Sequence, residues 1–236
     1  MNIKSGIILA GGAGTRLLPL TNVINKHLVT VHNQFIIDYP LNTLKQMGIE
    51  NLTVVLGGPH FDQIVSHIKD GKHLGMNINY VYQNAPAGIA QAINLCERFI
   101  DDKFVVILGD NIFENSIEFK DSFRMAQVVF NKHSELNRFG VASLRHNRIY
   151  KIEEKPKKLD PTFNQYAITG CYLFDLNFFK YFKKIKPSLR GEFEITDIIC
   201  KYHQNDDLDY TFTNGLWSDA GTHESINYLN DFFYNK

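Results

Sequence analysis

Gly6-Ile-Ile-Leu-Ala-Gly-Gly-Ala-Gly-Thr-Arg16 joins a short, wholly apolar run to a glycine-dense turn that ends in an arginine. The apolar part reads as a buried strand, Ser5–Ala10, and the turn as a backbone cradle for phosphate. Gly11, Gly12 and Gly14 can take φ > 0 and let main-chain N–H groups approach an anion, and Arg16 adds a permanently charged fork. The bland alternative is a strand–glycine turn–strand connection with no nucleotide chemistry. The spacing excludes two familiar phosphate binders. A dinucleotide fingerprint needs a third glycine where Leu17 stands, which removes a nicotinamide-dependent dehydrogenase, and no Gly-Lys-Ser/Thr tripeptide follows for a Walker loop.

Outward from this stretch, apolar runs predict further strands at Leu52–Leu56, Ile78–Tyr82 and Phe104–Leu108. Helical spacing appears in Phe61, Ile64, Val65 and Ile68, and again in Ile89, Ile93, Cys96 and Ile100. Gly48, Gly71 and Gly88 punctuate these elements. Such alternation implies parallel strands covered on both faces, hence an α/β fold: a three-layer, Rossmann-like, mostly parallel sheet. The second half is less regular. It predicts a hairpin-like stretch over Gly140–Glu153, a strand at Ala167–Phe174, a short aromatic helix Asn177–Phe182, a strand Leu208–Thr213 and a closing helix from Thr222. No repeat or linker interrupts it, so residues 1–236 are expected to form one domain, divided near residue 115 into two halves.

Composition narrows the class. With 236 residues and 44% hydrophobic content the chain can bury a large core. Twenty-five basic residues balance 25 acidic ones, which argues against a nucleic-acid or membrane-surface binder, since those rely on excess Lys and Arg. No run reaches the ~18 apolar residues of a membrane span, and the N-terminus lacks a signal-sequence pattern. Cys96, Cys171 and Cys200 are widely spaced in apolar contexts, which predicts reduced core thiols and a cytoplasmic protein. The nine histidines form no zinc-binding pattern.

Ligands of open α/β sheets bind beyond the carboxyl ends of the strands. Phe104-Val-Val-Ile-Leu-Gly-Asp110-Asn111 puts a carboxylate there, and Leu216-Trp217-Ser218-Asp219-Ala220-Gly221 supplies a second. Either aspartate alone could be a turn former or a helix cap. Together with a glycine turn they suggest a Mg²⁺–phosphate site, because magnesium takes one or two carboxylates and completes its shell with phosphate oxygens and water.

Eight blocks, in order, resemble the sugar-nucleotide pyrophosphorylases over nearly the whole length, and among them the short-form glucose-1-phosphate thymidylyltransferases. They are Leu9-Ala-Gly-Gly-Ala-Gly-Thr-Arg16, Asn25-Lys26-His27-Leu28, Gly88-Ile-Ala-Gln-Ala92, Leu108-Gly-Asp-Asn-Ile-Phe113, Glu153-Glu-Lys-Pro156, Tyr166-Ala-Ile-Thr-Gly170, Arg190-Gly-Glu-Phe-Glu-Ile-Thr-Asp197 and Trp217-Ser-Asp-Ala-Gly-Thr-His223. The resemblance implies the nucleotide-diphospho-sugar transferase fold, with a nucleotide-binding half (about 1–115) and a β-rich sugar-phosphate-binding half (about 116–236). It implies condensation of dTTP with glucose 1-phosphate to dTDP-glucose and pyrophosphate, assisted by Mg²⁺. It also implies a homo-oligomer.

By the same resemblance, Gly11, Gly12, Gly14, Thr15 and Arg16 face the nucleotide phosphates, with Arg16 on the departing pyrophosphate. Lys26 matches the lysine at the α-phosphate, and Asp110 and Asp219 the metal ligands. Gln83 and Gly88 match base-binding positions; Lys155 and Arg190 match the grip on the sugar phosphate. Gly140, Glu154 and Thr169 match contacts to sugar hydroxyls, and Trp217 a pocket wall. Read on residues alone, Glu154 and Lys155 are equally an exposed strand end, Arg190 a loop salt bridge and Trp217 a core aromatic.

Three departures stand out. Leu28-Val29-Thr30 and Gln34-Phe35-Ile36 replace the usual Leu-Leu-Pro and Lys-Pro-Met, and Phe139 stands where many relatives have tyrosine beside the sugar. The chain also stops soon after the closing helix, so feedback through the regulatory nucleotide site of longer relatives is not expected. Two alternatives stay open: the same reaction with UTP or another sugar 1-phosphate, and a non-catalytic regulatory homologue.

Overall fold

The structure, a computed structural model, describes residues 3–122 and 124–236. In chain order the strands and helices are β1 (Ser5–Ala10), β2 (Thr30–Val31), β3 (Gln34–Phe35), α1 (Asp38–Gln46), β4 (Asn51–Leu56), α2 (Phe61–Ile68), β5 (Asn77–Tyr82), α3 (Ile89–Asn94), β6 (Phe104–Leu108), β7 (Asn111–Phe113), β8 (Ala126–Asn131), β9 (Gly140–Arg145), β10 (Arg148–Glu154), β11 (Asn164–Phe174), α4 (Asn177–Phe182), α5 (Ile195–Gln204), β12 (Leu208–Phe212), β13 (Trp217–Asp219) and α6 (His223–Tyr234).

Among the described residues nine strands form one sheet, ordered β10-β9-β11-β6-β1-β4-β5, with β8 and β12 continuing from β11. The strands β6, β1, β4 and β5 are parallel, with β5 at the edge, and β11 joins them antiparallel through β6. The inner strands β1 and β6 are almost wholly apolar and buried because alternate side chains feed two different cores, whereas β5 at the sheet edge alternates with asparagines and is only half-buried. Ile7, Val55 and Val106 pack with Ile93 of α3, Phe178 of α4 and Ile198 and Tyr202 of α5 on one face. Ile8, Val54 and Ile107 pack with Leu41 and Leu44 of α1 and Ile64 and Ile68 of α2 on the other. The three-layer α/β expectation is therefore what the chain adopts.

The expected helix over Ile89–Ile100 is shorter. Its regular part ends at Asn94, and Glu97–Phe99 make a tighter single turn. The helices α1 and α5 and the strand β8 have no counterpart in the sequence reading. Cys96 and Cys171 are buried, Cys200 partly so, and all three thiols are free. Among the described residues no helix is long and apolar enough to cross a membrane.

What positions the site is a split along β11. Its C-terminal residues Cys171–Phe174 pair with β6, whereas Asn164–Ala167 pair with β9. Between them, at Ile168–Gly170, the carboxyl end of β6 meets the amino end of β9, and the sheet opens.

Candidate active site

The glycine turn is tight for steric reasons. A Cβ on Gly14, at φ 67°, would lie 2.8 Å from both Lys26 Cβ and Thr21 Cγ2, and one on Gly12 would lie 3.4 Å from Lys26 Nζ. The Lys26 stem therefore runs directly beneath the turn. Lys26 opens a short turn capped by Asn25, whose Oδ1 accepts from the His27 N–H at 3.0 Å. Next to Gly11 stands Gln83, whose amide donates to Gln91 Oε1 at 2.6 Å. Gly88, at φ 98°, allows a close approach to the Phe193 backbone, where a Cβ would lie 2.5 Å from the carbonyl oxygen.

From beneath the turn, Lys26 Nζ reaches Asp110 Oδ2 at 2.6 Å. Burial opposes ionisation of Asp110, but the Lys26 ammonium and hydrogen bonds from Lys26 and Asn111 override it, holding the carboxyl well below the usual range. Under the pair, His27 is enclosed, and burial together with Lys26 pushes its imidazole down to about 3, so it is neutral at pH 7.

The second aspartate arrives through a two-stranded ribbon. β7 and β13 pair antiparallel with Asn111 opposite Asp219, and the Ala220 N–H donates to the Asp110 carbonyl at 2.8 Å. Asp110 and Asp219 thus sit on neighbouring rungs. The turn after Asp219 is closed by α6, where Thr222 Oγ1 accepts from the Ser225 N–H at 3.1 Å and Ser225 Oγ accepts from the Thr222 N–H at 3.1 Å. Asn111 is the post of the arrangement. Its Nδ2 donates to Asp110 Oδ1 at 3.0 Å, and its Oδ1 accepts from Gly170 N–H at 3.0 Å and from Trp217 Nε1 at 2.7 Å. Gly170 is required here, since a Cβ would lie 2.6 Å from Asn111 Oδ1.

A cavity of about 500 Å³ fills the opening of the sheet. Arg16, Asp110, Gly140, Glu154, Lys155, Arg190, Trp217 and Asp219 all line it. At its far end Arg190 Nη2 meets Glu194 at 2.9 Å to both carboxylate oxygens, Glu154 at 3.3 Å and Glu192 at 3.4 Å. Glu154 also accepts from Thr196 Oγ1 at 3.1 Å. Burial, with the Glu194 carboxylate adding to it, raises the Glu154 carboxyl against the pull of Lys155 and Arg190. Trp217 is buried, edge-on to Phe139 at 5.0 Å.

Gly11, Gly12, Gly14, Thr15, Lys26, Gln83, Gly88 and Thr169 do not line this cavity. For most of them the reason is position, on the glycine-turn side of Asp110. Thr169 differs. Strand alternation turns Ile168, Gly170 and Tyr172 to the cavity and Thr169 to the opposite face, where its hydroxyl is buried without a hydrogen-bond partner. Sequence reasoning missed Asn111, Glu194 and Thr196, although each lies inside a block already quoted, and Arg138, although it precedes Phe139 and Gly140, which were singled out.

Magnesium favours hard oxygen ligands and accepts one or two carboxylates. Asp110 and Asp219 offer such oxygens on one wall, so the donor set fits the ion. Among the described residues no cluster of three or more His, Cys, Asp or Glu side chains forms a metal site, so a cation here would complete its shell from substrate and water.

Known proteins agree with this architecture. A glucose-1-phosphate thymidylyltransferase of Xanthomonas campestris pv. campestris is 37% identical over 98% of this chain and 81% of its own. One from Neisseria meningitidis is 36% identical over 94% of this chain and 79% of its own. A Bacillus anthracis protein described as a glucose-1-phosphate thymidylyltransferase, crystallised with sucrose, superimposes with a TM-score of 0.90 at 43% identity, covering 98% and 95% of the two chains. A UDP-glucose pyrophosphorylase at 22% identity and TM-score 0.83 shares the fold. The family model described as nucleotidyl transferase matches residues 5–236, and the chain belongs to that family.

Proposed function

We propose that the protein is a glucose-1-phosphate thymidylyltransferase, condensing dTTP with glucose 1-phosphate to dTDP-glucose and pyrophosphate. The observation that carries this reading is the juxtaposition of Asp110 and Asp219 on neighbouring rungs, with Lys26 on Asp110 and the glycine turn above it. The choice of base and sugar in this reading is supported by the thymidylyltransferases among the relatives.

The chemistry brings two polyanions together. An oxygen of the sugar phosphate attacks the α-phosphorus; the new P–O bond forms as the bond to the bridging oxygen breaks, and pyrophosphate takes that electron pair. A phosphate oxygen is ionised at neutral pH, so no general base is needed. The burden is charge neutralisation and alignment. In this reading the turn from Gly11 to Thr15 and Arg16 holds the triphosphate, with Arg16 on the leaving group. Lys26 stabilises charge developing at the α-phosphate. Lys155 and Arg190 grip the sugar phosphate, while Glu154 and the backbone at Gly140 orient sugar hydroxyls. Gln83 reads the base, with Gly88 beside it. Asp110 and Asp219 would hold Mg²⁺, whose chemistry when bound is to neutralise phosphate charge and template the two substrates.

A pyrophosphate-release assay across the common nucleoside triphosphates and a panel of sugar 1-phosphates tests the assignment. The highest kcat/KM is expected with dTTP and glucose 1-phosphate. Absence of release with every pair would overturn it, and a clear preference for UTP would move the base assignment.

A further inference from the structure

Arg138 was not anticipated, yet it contacts the second aspartate on both oxygens: its Nη2 lies 3.2 Å from Asp219 Oδ1 and 3.2 Å from Oδ2. Its Nη1 meanwhile donates to Glu135 Oε2 at 2.7 Å. One guanidinium is therefore shared by two carboxylates of different kinds. The Glu135 contact is local, three residues away in the same turn, and its carboxylate is largely exposed; the Asp219 contact spans 81 residues and faces the cavity.

Arg138 also stands in a partition. Together with Trp217 and Asp219 it lines both the active-site cavity and a second cavity of about 630 Å³ on the far side, which Glu135 borders too. The guanidinium lies over the Phe139 ring, 5.3 Å from its centroid, and so has an apolar surface to slide on. A dication on Asp219 would meet a fixed positive charge already using both of its oxygens, and like charges at that range repel.

We infer that Arg138 is a positioning residue that serves as the internal counter-ion of Asp219 and yields the carboxylate to a divalent cation, retreating onto Glu135 at the edge of the second cavity. Arg138 and the cation then compete for one side chain. The inference rests on the proposed role of Asp219 as a cation ligand.

The test is Mn²⁺ binding to the nucleotide-free protein, read from the electron paramagnetic resonance of unbound Mn²⁺, with thermal melts in EDTA to monitor folding. Arg138→Met is expected to bind Mn²⁺ roughly three- to tenfold more tightly than the parent, because the competitor is gone. Arg138→Lys, which keeps the charge, should stay near the parent value. Glu135→Gln should bind more weakly, since the guanidinium loses its second resting place. A merely structural role for Arg138 would leave affinity unchanged or lower it. Unchanged or weaker binding by Arg138→Met, alongside weaker binding by Asp219→Asn, overturns the inference while sparing Asp219. Equal binding by Asp219→Asn and the parent, or no binding by any of them, overturns both. Should Arg138→Met fail to fold, Glu135→Gln decides alone, and unchanged affinity there rejects the exchange.

Discussion

Lys26 Nζ lies 2.6 Å from Asp110 Oδ2 across 84 residues of sequence, with both side chains largely withdrawn from water. A buried ion pair is a poor choice for stability alone, because two desolvation costs offset most of the attraction. In the proposed function its position beneath the glycine turn gives it another use, as a charge already fixed where phosphate charge would develop. Lys26→Ala is therefore expected to lower kcat by about 10²-fold or more. It should also cost about 3–5 kcal/mol in urea unfolding, since Asp110 is left buried without its cation. A change confined to KM would contradict the role in the chemical step.

Asp110→Asn and Asp219→Asn should each abolish Mg²⁺-dependent turnover while the far-ultraviolet circular dichroism spectrum stays that of the parent. Asparagine keeps the size of each side chain, and the Asn111 post still ties β7 to Trp217 and Gly170. Near-normal turnover in either variant would remove that aspartate from the proposed metal site.

Arg190 is surrounded by the carboxylates of Glu154, Glu192 and Glu194, so a sugar phosphate bound as proposed would have to displace or share them. Arg190→Ala should raise KM for glucose 1-phosphate roughly tenfold or more with dTTP in excess, as expected for loss of a charge-assisted contact. An unchanged saturation curve would leave Arg190 as a structural ion pair.

Acid should destabilise the fold before the carboxylates titrate. His27 is pushed from its ordinary 6.5 down to about 3, so between those values the unfolded chain binds a proton that the folded chain refuses. Stability is then complete above pH 6.5 and falls as pH drops below it, by up to ~1.4 kcal/mol per pH unit for one such group. His133, lowered by burial and by Arg138, adds to the same trend. Asp110, held low in the folded state, contributes stability above its ordinary 3.8 that is lost at still lower pH. Urea unfolding from pH 7 to 4.5 measures this, and His27→Gln should flatten the slope. A parent protein equally stable across that range would contradict the burial argument.

The parallel strands were legible because a strand buried on both faces is a continuous apolar run, and β1 and β6 have the predicted bounds. Aspartates at strand ends, with a glycine turn, pointed to one end of the sheet. What stayed hidden was non-local. The strands β7 and β13 have three residues each, too short to show any period, and it is their pairing that brings Asp219 beside Asp110. Arg138 could not be matched to Asp219 from spacing, although Arg138-Phe-Gly140 stood next to a position already singled out. Thr169 was placed by its motif without its strand parity, which sends its side chain away from the cavity.

The most direct measurement is Mn²⁺ anomalous scattering from crystals grown with Mn²⁺ and dTTP. One peak is expected in contact with carboxylate oxygens of both Asp110 and Asp219, at ~2.1 Å as for a hard octahedral cation, with the triphosphate against the Gly11–Arg16 turn. A peak on neither aspartate, or a triphosphate bound elsewhere, would contradict the proposal at its centre.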